Sequence, residues 1–137
     1  MFNLFKKKGY TLTVHDVKSI LEKKGISMAD AKKIGIKSIA FSEDAIPQNA
    51  IEELKKAPNI IVEENGRQFL GLNEIMVSID PHLLYDNIAN FCSIVGFLIA
   101  IAKKSPNTML TVNTTNDSFS LKAKDALNHL FNLMRKK

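Results

Sequence analysis

The longest apolar run in the chain is LLYDNIANFCSIVGFLIAIA, between Asp80 and Pro106. Asp80 suits a helix N-cap and Pro81 suits the first helical turn, while Lys103, Lys104 and Pro106 mark the end of a helix. The pattern therefore predicts a central helix. At about 100° per residue its apolar positions form one stripe that should face the core: Leu84, Ile88, Phe91, Val95, Leu98 and Ala102.

The far side of this helix is polar at first and becomes apolar in its later turns. Ile94, Phe97 and Ile101 lie three and four residues apart, so they form a second stripe. One sheet cannot cover both stripes. We therefore expect either another layer of the same chain or a partner subunit to cover the second stripe, and these three residues are the candidate protein interface.

Two shorter helical patterns precede the sheet. Thr13 with Asp16 resembles a capping box, and the apolar face that follows ends at Gly25. Ser27 with Asp30 repeats the N-terminal signal before a short second helix. The sequence therefore predicts an N-terminal helical hairpin.

Strand patterns occupy most of the rest of the chain. Asn65-Gly66, between the segments IIVEE at residues 60–64 and RQFL at residues 67–70, predicts a two-residue hairpin with Val62 opposite Phe69. Further strands are expected around residues 36–41, 74–79 and 108–114. A short helix should follow Pro47, and a final amphipathic helix should run from Leu121 to Met134.

This order of elements predicts an α+β fold of two layers. A largely antiparallel or mixed sheet of about five strands would be packed by the long central apolar helix and the C-terminal amphipathic helix, beside the N-terminal helical hairpin. The chain has 137 residues, of which 45% are hydrophobic, so it is long enough for one core. We expect a single domain over residues 1–137, with residues 1–10 as a basic arm that can be flexible.

The formal net charge of +5 hides a segregation of charge. Residues 1–37 carry +6, residues 38–90 carry −6 and residues 91–137 carry +5. The blocks can neutralise one another in the fold, which is the simpler interpretation, or the basic ends can share a face and attract polyanions. In the second case the protein binds nucleic acid, and Lys32, Lys33 and Lys37 are the residues expected to contact phosphates.

One resemblance bears on that alternative. The segment TLTVHDVKSILEKKGIS resembles the start of the SAP family of helix-extension-helix DNA-binding modules, over roughly the first half of that module. The resemblance implies DNA binding, but the Gly-Lys approach to the family's second helix is absent here. An alignment as a helix-turn-helix fails at Leu21, where the helix crossing needs a small residue. An ordinary helical hairpin is therefore the preferred interpretation.

The chain carries no readable catalytic constellation. Its three histidines are far apart in sequence, its single Cys92 lies on the flank of the core stripe, and it has no glycine-rich phosphate loop. We therefore predict no enzyme activity, no metal site and no cofactor. Cys92 is expected to be a small buried hydrophobe.

The apolar run from Phe91 to Ala102 is too short to span a bilayer, so membrane insertion is not expected; weak surface association of the basic arm stays open. At the N-terminus the aromatic residues precede the lysines, which is the wrong order for an export signal, so we expect a cytoplasmic protein. Our favoured hypothesis is a protein-binding module of the adaptor, chaperone or inhibitor kind, with a homodimer through the central helix as one form; nucleic-acid binding is the alternative.

Overall fold

The structure is a computed structural model that describes residues 12–56, 60–64, 66–69, 71–79 and 88–135. Five helices lie within these ranges: α1 (Val14–Lys23), α2 (Met28–Lys32), α3 (Gln48–Lys55), α4 (Ile88–Lys104) and α5 (Ala123–Arg135). The same ranges contain six strands: β1 (Ser38–Ser42), β2 (Ile60–Glu63), β3 (Gln68–Phe69), β4 (Leu72–Ile79), β5 (Met109–Asn113) and β6 (Ser118–Lys122).

The strands form one antiparallel sheet in the order β2-β4-β1-β5-β6, and the short β3 pairs with the start of β4. Because opposite residues of an antiparallel pair share a face, Ile39 lies with Val77 and Val112 on the same side of the sheet. All three are buried and belong to one hydrophobic cluster with side chains of the helices. The predicted α+β fold, with a sheet packed against helices, is confirmed.

The two N-terminal helices begin where the local signals predict. The Asp16 N–H donates to Thr13 Oγ1 over 3.1 Å, and the Thr13 N–H donates to Asp16 Oδ2 over 3.3 Å, so the capping box is complete. Ser27 caps α2 in the same way, by accepting a bond of 3.1 Å from the Asp30 N–H. These bonds satisfy donors that have no partner inside the helix.

The predicted hairpin at Asn65-Gly66 is wrong. The strand β2 pairs with β4 instead of β3, so Val62 lies opposite Val77. The chain returns later, where Phe69 pairs with Leu72 and Gly71 has a φ of +83°. Glycine adopts that φ without the strain a Cβ would add, and this second glycine turn was not recognised. Pairing with the long β4 therefore determines where the chain turns.

The predicted start of the final helix at Leu121 is also wrong. Leu121 belongs to β6 and lies opposite Leu110, and α5 begins at Ala123. The segment SFSLK alternates polar and apolar side chains, which is a strand pattern, but Leu121 also fits the helical period of α5. The sheet therefore has six strands where about five were expected.

The central helix α4 lies between the sheet and other helices. It packs against α1 and α5, and also against β4. The Phe97 ring lies 5.7 Å from the Phe41 ring of β1, so this side chain faces the sheet. A Cβ built on Gly96 would lie 3.1 Å from Leu12 Cβ, so Gly96 is where α4 approaches the start of α1 closely. The predicted cap at Asp80 and the first turns of this helix lie outside the described residues.

Candidate interaction surfaces

The candidate interface residues Ile94, Phe97 and Ile101 each have a relative exposure of 0%. Side chains of the same chain cover them, which is the intramolecular alternative of the two that the sequence left open. A partner cannot dock on residues that have no surface, so the assignment of these three as an interface is corrected. Any docking surface of the folded chain must lie elsewhere.

In the described part of the chain, one face of β1, β4 and β5 contributes no side chain to the hydrophobic cluster. Side chains alternate across a strand, so the residues between the buried core positions of β4, β1 and β5 point to the opposite face. Ala40 lies on this face, and it is buried without belonging to the core cluster. We call the following residues the open face: Ser38, Ala40, Ser42, Met76, Ser78, Met109, Thr111 and Asn113. The three residues of the middle strand β1 are buried and the other five are half-buried, so the side chains of β4 and β5 provide its accessible surface.

None of these eight residues is charged. Charged side chains of the same orientation lie at the margin: Glu63 is opposite Met76, Glu74 is opposite Ser42 and Lys122 is opposite Met109. The open face is therefore an uncharged centre with charges around it.

The polar side chains of the open face bond to one another and to β6. Asn113 Nδ2 donates to Ser38 Oγ over 2.9 Å, and Asn113 Oδ1 accepts a bond of 2.7 Å from Ser118 Oγ. The hydroxyls of Thr111 and Ser120 lie 2.8 Å apart. These bonds hold the side chains of β1, β5 and β6 in one fixed surface.

A second surface forms where the two basic segments meet. Arg135 Nη1, at the end of α5, donates to the carbonyl oxygen of Lys24, next to α1, over 3.2 Å. Lys24 Nζ also lies 5.6 Å from the centre of the Phe131 ring. The ends of α1 and α5 are therefore neighbours, and we call the surface around them the basic end.

The three lysines of the nucleic-acid alternative belong to the segment that follows α1. Lys32 ends α2, and Lys33 is exposed with its Nζ 3.6 Å from Asp30 Oδ1. Lys37 is exposed, and its N–H donates to the Asn113 carbonyl over 2.7 Å, beside the sheet. The fold therefore places Lys33 and Lys37 in solvent on the same N-terminal segment.

The acidic middle block lies toward the opposite edge of the sheet. Glu63 is the last residue of the edge strand β2 and Glu64 follows it; Glu64 pairs with Lys55 of α3 over 2.7 Å. Lys55 also lies 3.8 Å from Glu52, and its pKa is raised, mainly because it donates to Glu64. These bridges remain within the acidic block, so they do not neutralise the basic end.

The groups that could support chemistry lie apart in the described ranges. Cys92 is buried, and burial raises the pKa of its thiol, although Lys18 and Lys32 act in the opposite direction. His15 is exposed, and His129 packs edge-on against Phe119 with 4.5 Å between ring centres. No group of three or more His, Cys, Asp or Glu residues in the described part of the chain is placed to hold a metal ion. His82 lies outside the described residues.

A polar cleft of about 410 Å³ lies where β1 ends and β5 begins. Ser42 Oγ donates to Asp44 Oδ1 over 2.7 Å, and Ser105 Oγ donates to the Ala45 carbonyl over 3.1 Å. The lining contains one carboxylate and no histidine, cysteine or lysine. The lining residues are Ser42, Asp44, Ala45, Ser105, Pro106, Asn107, Thr108 and Met109.

Comparison of the chain with protein-family models, with curated proteins and with solved structures gives no match. Among the described helices, none has the length and apolar character needed to cross a membrane. Of the two surfaces, only the basic end was anticipated from the sequence. The open face was missed, although the alternation of small side chains in Ser38, Ala40 and Ser42 is visible there.

Proposed function

We propose that the protein works by binding another protein, and that the open face is its docking surface. The observation that carries this proposal is the charge-free centre of the open face with Glu63, Glu74 and Lys122 at its margin. Protein interfaces have the same distribution of charge, since charged residues are depleted in their centre and accepted at their rim; the four serine and alanine residues of the open face are of types that interfaces use less often. An adaptor, a chaperone or an inhibitor would use such a surface.

The hydrogen bonds of the open face also favour docking. A partner that covers a polar side chain removes its water, which is unfavourable unless the side chain has another hydrogen-bond partner. Asn113 already bonds to Ser38 and Ser118, and Thr111 to Ser120. These groups keep their bonds when water is removed, so covering them carries a small penalty.

Two methionines provide the adaptable part of the surface. Met76 on β4 and Met109 on β5 are half-buried and lie on opposite sides of β1. Unbranched thioether side chains change rotamer easily and fill the gaps of an irregular partner surface. The location that we propose remains the cytoplasm, and cell fractionation with detection of the protein tests that part.

We predict that Met76→Lys abolishes partner capture while the fold is retained. Lysine resembles methionine in length, so the substitution adds a charge to the centre of the open face with little change of shape. A charge buried at an interface weakens binding by about 2 kcal/mol or more, which is roughly 30-fold; Glu63 lies opposite the new lysine, but its carboxylate is exposed, so water screens the attraction. Affinity purification with quantitative mass spectrometry compares wild type and variant.

The matched control is Asn128→Lys, which adds the same charge at an exposed position of α5. It should recover the same proteins as wild type. Circular dichroism and thermal melting verify that both variants fold. If Met76→Lys recovers the wild-type set of proteins at unchanged abundance, the open face is not the docking surface.

Nucleic-acid binding through the basic end is the second candidate. The observation in its favour is the bond between Arg135 and the Lys24 carbonyl, which brings the two basic segments together. Lys33 and Lys37 lie exposed on the same N-terminal segment. Phosphate contacts by such lysines release counterions, so binding must weaken as salt is added.

For this candidate we predict that the double substitution Lys33→Ala with Lys37→Ala weakens binding to labelled DNA and RNA. The slope of log affinity against log salt should fall by about 1 for each lysine that contacts a phosphate. Fluorescence anisotropy over a salt series measures this slope. Lys56→Ala, in the acidic block, is the control and should leave the slope unchanged; absence of wild-type binding at low salt ends this candidate.

A further inference from the structure

The two edges of the sheet differ in how they are protected against pairing with other strands. The β2 edge is interrupted after Glu63, and the chain resumes pairing with β4 only at Gln68. Glu64 and Arg67 lie in this interruption. A break with charged side chains prevents another strand from adding to an edge.

The opposite edge, β6, lacks these features. Its five residues pair with β5 in unbroken register, from Ser118 opposite Asn113 to Lys122 opposite Met109. It contains no proline or glycine, and Lys122 at its end carries its one charge. Within the described ranges no strand pairs with its outer side. In the described part of the chain the β6 edge is therefore regular and unpaired.

The ladder between β5 and β6 shows which backbone groups of β6 point outward. The Ala123 N–H donates to the Thr108 carbonyl over 2.7 Å, and the Thr114 N–H donates to the Asp117 carbonyl over 2.8 Å. Ala123 and Asp117 are therefore in hydrogen-bonded pairs with Thr108 and Thr114, the residues that flank β5. Such pairs occur at every second residue of an antiparallel ladder, so Phe119 and Leu121 also direct their N–H and C=O groups toward β5. The outward N–H and C=O groups therefore belong to the three residues in between: Ser118, Ser120 and Lys122.

We propose that a second copy of this chain pairs with this edge, β6 against β6, about a two-fold axis at Ser120. This register uses the full length of the strand. Ser120 lies opposite Ser120 of the second copy, and Ser118 lies opposite its Lys122. These are the residues with outward groups, so three bonded pairs form, with about six backbone hydrogen bonds.

The side chains are self-complementary in this register. Phe119 lies opposite Leu121 of the second copy on the inner face of the sheet, and both are half-buried in the single chain. Each would cover apolar surface of the other. Lys122 meets Ser118, so no two like charges face each other across the axis. The dimer joins two sheets into one and places two open faces side by side; it does not depend on the proposed partner.

The first test is the mass in solution of wild type and two variants at Ser120. Ser120→Pro removes the outward N–H and leaves the ladder to β5 intact, so we expect a monomer. Both variants lose the hydrogen bond between the hydroxyls of Ser120 and Thr111. Ser120→Ala keeps the outward N–H, so we expect this variant to be a dimer. Sedimentation velocity distinguishes the two forms. A wild type that is monomeric at its highest soluble concentration overturns the proposal, as does a Ser120→Pro variant that remains dimeric.

The second test examines the register and does not depend on the proline variant folding. Ser118→Glu places a carboxylate opposite Lys122 of the second copy, and Ser118→Lys places a like charge there. With two such pairs in each dimer, the dissociation constant should fall for Glu and rise for Lys by about 2- to 30-fold. Equal constants for the two variants contradict this register.

A cross-link provides a third measurement of the same geometry. In a bonded antiparallel pair the Cα atoms lie about 5.5 Å apart, which is within the reach of a disulfide. Ser120→Cys should therefore give a covalent dimer on mild oxidation. The control is Ser118→Cys. In the dimer the two residues at position 118 lie four residues apart along the paired strands, so their Cα atoms are about 13 Å apart and cannot form a disulfide. A dimer band of equal strength for the two variants overturns the two-fold axis at Ser120.

Discussion

Phe97→Asp is expected to leave the chain unfolded at room temperature. Phe97 has no exposed surface, and its ring lies 5.7 Å from the Phe41 ring. Removing a buried phenylalanine costs about 3–5 kcal/mol, and an unpaired carboxylate in its place adds a desolvation penalty of several more. The total stability of a domain is about 5–15 kcal/mol, so the two losses together use most or all of it.

The measurement is circular dichroism with a thermal scan, which should show no cooperative transition in the variant. The matched control is Ile88→Asp on the same helix, where the side chain is 38% exposed. Its carboxylate remains in water, so the loss should be about 1 kcal/mol. A Phe97→Asp variant that melts cooperatively near the wild-type temperature would show that Phe97 is not enclosed by the chain.

The sequence shows that the far side of the central helix is apolar, but not what covers it. A period of 3.6 residues identifies which positions share a face, and Ile94, Phe97 and Ile101 are such a set. Their cover depends on residues distant in the sequence, such as Phe41 in β1. No local pattern distinguishes an intramolecular cover from a partner subunit, and the interface assignment was therefore wrong.

Features that depend on neighbouring residues were predicted well. The capping box of Thr13 and Asp16 forms because both bonds join residues three apart. The end of the central helix at Lys104 follows from Pro106 two residues later. These signals operate within one helical turn, so the rest of the fold does not change them.

The turn of the hairpin was predicted wrongly because local and distant preferences conflict there. Asn65-Gly66 is the stronger turn signal by residue type, but a turn at that point would remove Val62 from Val77 of β4. The strand β4 has eight residues, and pairing along it with β1 and β2 buries Ile75, Val77 and Ile79. That burial outweighs the preference of one dipeptide, since turn propensity contributes less than core packing.

The open face could be predicted only with the register of the sheet in hand. Small alternating side chains occur in β1, and again at Thr111 and Asn113 in β5. The pattern of each strand taken alone predicts only that one of its two faces is exposed. The registers align these positions, and the hydrogen bond between Asn113 and Ser38 connects residues that lie 75 positions apart. An uncharged surface across three strands is therefore a property of the fold.

Gly96→Leu is expected to separate α1 from α4 and to lower stability by about 2 kcal/mol. A Cβ at Gly96 would lie 3.1 Å from Leu12 Cβ and 3.3 Å from the Leu12 backbone nitrogen, so even a methyl group requires a small shift. The rest of a leucine side chain has no room unless the start of α1 moves. Overpacking costs about 1–3 kcal/mol or more, and the better helix propensity of leucine returns less than 1 kcal/mol.

Urea unfolding measures this loss, and Lys103→Leu is the control because Lys103 is exposed on the same helix. Gly96→Ala should fall within about 1 kcal/mol of wild type, since its helix propensity gain offsets the tight contact. Hydrogen exchange locates the damage. The amides of α1 should exchange faster in Gly96→Leu, while those of β1 should not, because Phe97 and not Gly96 faces that strand. Equal acceleration in both elements would mean that the substitution loosens the whole core and not the contact between α1 and α4.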